Sequence, residues 1–194
     1  MKSKKRLSVG MVLVAIVFSI VKAIYQPNLA TYNSNVPLPS QIEAHVVKVV
    51  DGDTIKIKQA DSSEVTTVRL IGINTPESVD PRVSVQCFGK EASHFMESLV
   101  FDKDVVVKSD PTQGDKDKYG RTLGYVYLSD GEFVNLIMIS SGYAFEYTYN
   151  TPYEFRQEFK DAENKARTSG IGLWDKSKCD YTSNPKYGKG GVVH

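Results

Sequence analysis

With 194 residues, 41% of them hydrophobic, the chain is long enough for one domain with its own core plus terminal extensions. Five of its 24 basic residues and none of its 23 acidic ones lie in the first 23 positions, so the formal net charge of +1 hides a remainder with 19 basic and 23 acidic groups. A domain of net charge −4 excludes attachment to nucleic acid by bulk charge, and any such contact must come from a local cluster or a bound cation.

Residues 1–23 read as an export signal or a membrane anchor. A basic stretch, Lys2–Arg6, precedes an apolar stretch, Leu7–Val21, and Val21-Lys22-Ala23 offers small residues for cleavage. The apolar stretch is short for a spanning helix, which needs about 20 residues. The expected location is therefore secreted, or anchored on the extracellular side, with the N-terminal segment engaging the membrane or the export machinery. Residues 24–41, rich in Pro, Asn and Ser, read as a spacer.

From Ile42 the pattern turns to strands. "IEAHVVKVV", "TIKIK", "VTTVRLIGI", "DVVVKS" and "LGYVYL" are β-branched or aromatic runs separated by turn residues. Asp51-Gly52 between the first two predicts a hairpin in which Gly takes positive φ. Three helices are expected. Phe88, Ala92, Phe95, Met96 and Leu99 recur at helical spacing in 88–101, and 133–142 is apolar nearly all round and ends at Gly142. Thr151-Pro152-Tyr153-Glu154 supplies an N-cap, a first-turn proline and a capping-box glutamate for a helix that Gly170 stops. One helix inserted among five strands and two following predict a small barrel with helices packed on it, over 42–175. Residues 176–194, Gly- and Lys-rich, read as a mobile tail.

Candidate chemistry sits at turns. Asp53 follows the Asp-Gly turn, and the strand at 68–73 ends in Asn74-Thr75-Pro76-Glu77. A carboxylate, an amide oxygen and the carbonyl of Thr75 are ligands suited to a hard cation such as Ca²⁺. Each is equally an ordinary turn residue when taken alone. Lys118, Tyr119 and Arg121 flank Gly120 where a strand begins, and Tyr147 and Tyr149 stand at period two. Cations and aromatics of this kind hold phosphates and stack on bases, or merely cover a solvated hairpin and the barrel. Together, Asp53, Asn74 and Thr75 as metal ligands, Glu77 as a base, and Arg69 and Arg121 on a phosphate suffice for metal-assisted phosphodiester hydrolysis. Cys87 and Cys179 are a possible disulfide, which export favours over two free buried thiols. His45, His94 and His194 have no metal-site spacing.

The ordered segments "DGDT", "RLIGINTPE", "DKYGR" and "GLW" closely resemble the staphylococcal nuclease, or thermonuclease, family, from about Val46 to Trp174. The resemblance implies an α+β fold, a five-stranded OB-fold barrel with three packed helices. It implies a calcium-dependent endonuclease that cuts DNA and RNA and leaves 3′-phosphate ends. Asp53 and Thr75 match metal-site residues, Glu77 the general base, and Arg69 and Arg121 the arginines on the scissile phosphate. Lys118 and Tyr119 match residues near a terminal phosphate, and Tyr147 and Tyr149 the tyrosines near the base. Asn74 stands where the family pattern has aspartate, which predicts weaker calcium binding. The default oligomeric state is a monomer. The rival reading is a non-catalytic OB-fold module that binds nucleic acid at the cell surface. It gives no reason for a carboxylate at position 77 beside a phosphate.

Overall fold

A computed structural model of the protein describes residues 40–78, 85–179 and 181. The expected export segment, nearly all of the spacer and the end of the tail lie outside the described residues.

Five strands close a barrel in the order β1-β2-β3-β6-β5: β1 (Gln41–Asp51), β2 (Thr54–Lys58), β3 (Val65–Leu70), β5 (Asp104–Lys108) and β6 (Thr122–Leu128). All neighbours are antiparallel except β3 and β6, which run parallel. Side chains alternate as the pleat requires. Ile55 and Ile57 of β2, Val68 and Leu70 of β3, and Val105 and Val107 of β5 fill the interior. Each such burial contributes about 1.5–3 kcal/mol. The same alternation turns Arg69 to the opposite face from Val68 and Leu70.

A second sheet pairs β4 (Ile73–Asn74) with β7 (Phe145–Glu146), so that Asn74 lies opposite Phe145. Among the described residues three α-helices pack around the barrel: α1 (Gly89–Val100), α2 (Val134–Ser140) and α3 (Arg156–Ser169). Their inward stripes are Ala92, Met96 and Val100; Val134, Met138 and Ile139; and Phe159, Ala162 and Ala166. Buried Asn135 on α2 accepts from the Val126 amide and donates to the Ile71 carbonyl, which ties β6 to the corner after β3. This is the α+β, five-stranded OB-fold barrel with three helices that the sequence predicts.

Two local expectations are corrected. The hairpin loop is Gly52-Asp53, because Asp51 pairs with Thr54, and Gly52 does not adopt positive φ. Glycine is needed there for space: a Cβ would lie 2.8 Å from Thr75 Cγ2 and 3.1 Å from Ala92 Cβ. The capping box at Thr151–Glu154 does not form either. The helix starts at Arg156 with Phe155 as N-cap. Tertiary partners take the capping groups instead. The Thr151 hydroxyl turns to the Thr112 carbonyl, and the Glu154 amide donates to Asp110 Oδ2. Asp110 is buried and also accepts from Tyr125 Oη and the Thr112 amide. Burial opposes its ionisation, yet these donors hold its carboxyl below the usual range.

Packed structure continues past residue 175. Cys179 and Tyr181 are buried with Phe88, Phe145, Leu173 and Trp174 in a second apolar cluster. Cys87 and Cys179 are joined by a disulfide with their Cα atoms 5.9 Å apart.

Candidate active site

The site is built on the corner where β3 turns into β4, against the β1–β2 loop. Gly72 makes the corner with φ +78°. Arg69 reaches along it, and Nη1 donates to the Leu70 carbonyl at 2.6 Å and the Ile73 carbonyl at 2.8 Å. Nη2 lies 3.1 Å from Asp53 Oδ2 and donates to Asn74 Oδ1 at 3.1 Å. Asp53 is 8% exposed; its Oδ1 accepts from the Thr54 hydroxyl and its Oδ2 from the Thr75 amide. One arm of the guanidinium is thus fixed by backbone, and the other is shared between two acidic or amide oxygens.

Asp53 is brought to Asn74 and Thr75 from a distant part of the sequence. Among the described residues no three His, Cys, Asp or Glu side chains group to hold a metal. A cation here would draw on amide and carbonyl oxygens as well. The donor set is all oxygen, as Ca²⁺ requires. A cationic group, the Arg69 guanidinium, already bridges Asp53 and Asn74. Thr75 Oγ1 is buried without a hydrogen-bond partner among the described residues. The residues present therefore fit a hard cation.

Asp51, which the sequence reading leaves as a turn residue or a support behind Asp53, lies beside these groups. It is buried, and its Oδ1 accepts from the Ser78 hydroxyl at 2.7 Å and the Gly52 amide at 2.8 Å. Burial pushes its carboxyl up to about 7, with the charges of Asp53 and Glu77 adding and the two donors opposing. Glu77 is half-buried, and its amide donates to Gln86 Oε1 at 2.9 Å. Gln86 carries no sequence signal for this role, because the contact exists only once the two segments meet in the fold.

The turn at 117–121 aims Arg121. Asp117 Oδ1 accepts the amides of Tyr119 and Arg121, and Oδ2 holds Arg121 Nε at 2.6 Å. Burial alone would raise the Asp117 carboxyl, but the Arg121 guanidinium and these amides hold it below the usual range. The signal was present in "DKYGR", since an aspartate two residues before an amide, with Gly120 at φ +79°, is an Asx turn. Arg121 leads into β6, whose Leu123 pairs with Arg69 itself.

Lys118 Nζ stands 5.1 Å from the Tyr119 ring centroid and the Arg121 guanidinium 5.4 Å from it. Tyr147 and Tyr149 have ring centroids 6.2 Å apart, and the Tyr147 amide donates to the Gly72 carbonyl. Burial raises the Tyr147 phenol; Arg69 and Lys118 oppose this, while Tyr149 and Asp53 add to it. The two tyrosines, Lys118, Arg69 and Asp53 therefore share one electrostatic neighbourhood. Of the histidines, His45 binds Asp102 and Asp104, His94 is exposed on α1, and His194 lies outside the described residues.

A closed five-stranded barrel with three helices packed on it is an OB-fold protein, and Asp53, Arg69 and Asn74 gather at one strand corner of it. The sequence pattern of the family described as "Staphylococcal nuclease homologue" matches residues 67–176. The thermonuclease of Staphylococcus intermedius is 38% identical over 135 residues, which cover 69% of this chain and 77% of that protein. The thermonuclease of Staphylococcus hyicus is 28% identical over 171 residues, covering 88% and 98%. The SPbeta prophage-derived endonuclease YokF of Bacillus subtilis is 35% identical over 138 residues, covering 70% and 45%. The chain belongs to the staphylococcal nuclease family, which places it among the nucleases.

Proposed function

We propose that the protein is an exported, calcium-dependent endonuclease that hydrolyses the phosphodiester bonds of DNA and RNA and leaves 3′-phosphate ends. The observation that carries this reading is the shared arm of Arg69, a phosphate-binding group held 3.1 Å from both Asp53 and Asn74. Asp53, Asn74 and the Thr75 carbonyl would hold Ca²⁺. When bound, the ion supplies positive charge to a phosphate oxygen.

Arg69 and Arg121 grip the remaining phosphate oxygens, and both are pre-aimed, by two carbonyls in one case and by Asp117 in the other. Such fixed donors gain strength as charge builds in the transition state. Glu77 takes a proton from the attacking water, whose oxygen bonds to phosphorus as the bond to O5′ breaks. The 5′ oxygen leaves as an alkoxide that takes a proton from solvent water, and the phosphate stays on O3′. Lys118 and Tyr119 receive a terminal phosphate, and Tyr147 and Tyr149 stack on a base. The basic and apolar N-terminal segment supports export, and the monomer is the default state.

The test uses the purified protein with labelled single-stranded DNA and RNA, in calcium and in chelator. Glu77→Ala and Arg69→Ala should each lower kcat by about 10²-fold or more. Binding without cutting, equal in all three proteins, would mean a non-catalytic barrel. Cutting unaffected by chelator would remove calcium from the reading.

A further inference from the structure

The Glu77 backbone is held from one side by residues 86–89. Its amide donates to Gln86 Oε1 at 2.9 Å, and its carbonyl accepts from the Gln86 amide at 2.8 Å. Gly89 lies against the same peptides: a Cβ there would come within 2.7 Å of the Glu77 carbonyl oxygen and 3.0 Å of that of Pro76. A shift of this segment is therefore a shift of Glu77.

Local structure does not fix the segment. Phe88, the N-cap of α1, is in the left-handed region at φ 68°, and no side-chain hydrogen bond caps the helix. A residue with a Cβ keeps that conformation only where its surroundings impose it. The fastenings come from far along the chain. Cys87 is bridged to Cys179 across 92 positions, and the Tyr181 hydroxyl donates to the Cys87 carbonyl. The Phe88 ring is buried with Phe145, Leu173, Trp174 and Tyr181. A bridge serving only to shorten the unfolded chain could sit anywhere between the two regions. This one falls on the residue that follows Gln86.

We propose that the Cys87–Cys179 disulfide and Tyr181 are positioning residues for Glu77, acting through Gln86, so that the bridge sets turnover and not stability alone. The proposal rests on the hydrolytic role given to Glu77 above. Misplacing a reacting group by about 1 Å is enough to cost up to 10²-fold in rate, so a loosened cradle should lower kcat and leave KM nearly alone.

The experiment compares the full chain oxidised and reduced. Dithiothreitol transfers two electrons and two protons to the bridge, giving two thiols as the dithiol closes to its own cyclic disulfide. Oligonucleotide cleavage in calcium is followed for wild type and for Glu77→Ala, with circular dichroism to establish folding and amide exchange read at Glu77 and Gln86. Reduction should speed exchange at both amides and lower wild-type kcat roughly tenfold or more, with KM within about twofold. It should add no loss in Glu77→Ala, where the positioned group is gone. Tyr181→Phe keeps the bridge and should lower kcat severalfold by itself. An unchanged kcat in folded, reduced protein, or an equal loss in Glu77→Ala, overturns the proposal. If the reduced protein unfolds, Tyr181→Phe with wild-type kcat overturns it. Failure of oxidised wild type to cut would instead defeat the nuclease reading, and unchanged exchange on reduction would still defeat the clamp.

Discussion

Gly72 is the position where a single methyl group should do the most measurable damage. Its φ of +78° lies in the left-handed region, which costs a residue with a Cβ about 1–2 kcal/mol. Space is lacking as well. An added Cβ would lie 2.6 and 2.7 Å from two ring atoms of Tyr153 and 2.8 Å from Phe159. Phe159 is fully buried, and the Tyr153 hydroxyl is engaged near Glu146 Oε1 and the Gly72 carbonyl, so neither ring has room to withdraw. Overpacking of this kind costs about 1–3 kcal/mol. Gly72→Ala should therefore lose about 2–5 kcal/mol in all. Gly114→Ala is the matched control: φ is +74°, and nothing lies within 4 Å of its Cβ position. It should lose only the backbone part, about 1–2 kcal/mol. The assay is urea unfolding of both variants, with midpoints compared at constant slope. Because the Leu70 and Ile73 carbonyls that hold Arg69 flank Gly72, the variant should also lose turnover while still folded. Equal losses of stability in the two variants would refute the crowding argument.

Asn74→Asp restores a second negative charge beside Asp53 and should tighten calcium binding; an unchanged calcium titration would mean that residue 74 is not a ligand. Asp117→Ala removes the group that holds Arg121 Nε and two turn amides, and should lower kcat/KM by about 10-fold or more, which steady-state cleavage measures. His45 is raised above its ordinary value by bonds to Asp104 and Asp102, with Lys58 facing it across the β1–β2 ladder. Its contribution to stability is therefore full below about pH 6.5 and lost as pH rises through the raised value. His45→Gln should flatten that part of the urea midpoint against pH, and identical profiles would remove the effect. With 19 basic and 23 acidic groups beyond residue 23, the nuclease should show a shallow salt dependence of DNA affinity, and a steep slope would point to phosphate contacts outside the site described.

Much of this molecule is written locally. Alternation in "TIKIK" and "DVVVK" places Ile55, Ile57, Val105 and Val107 inside, because the pleat has period two whatever surrounds it. Gly142 and Gly170 end their helices in the left-handed region, as glycine readily does. The ordered segments "DGDT", "RLIGINTPE", "DKYGR" and "GLW" were enough to point to the family the chain belongs to. Other features are decided only when distant segments meet. The Thr151–Glu154 box is a sound local signal, yet Asp110 and Thr112 claim its groups, since a buried carboxylate needs donors more than an exposed helix end needs a cap. Gly52 is read locally as a turn glycine, while its real constraint is the nearness of Thr75 and Ala92. Gln86 behind Glu77, and Cys179 with Tyr181 behind Gln86, have no local signature. Sequence specifies what each segment prefers and which groups it carries. Closure of the barrel and docking of Cys179 and Tyr181 decide which of those groups lie within hydrogen-bonding distance, and that distance settles where the Glu77 backbone is held.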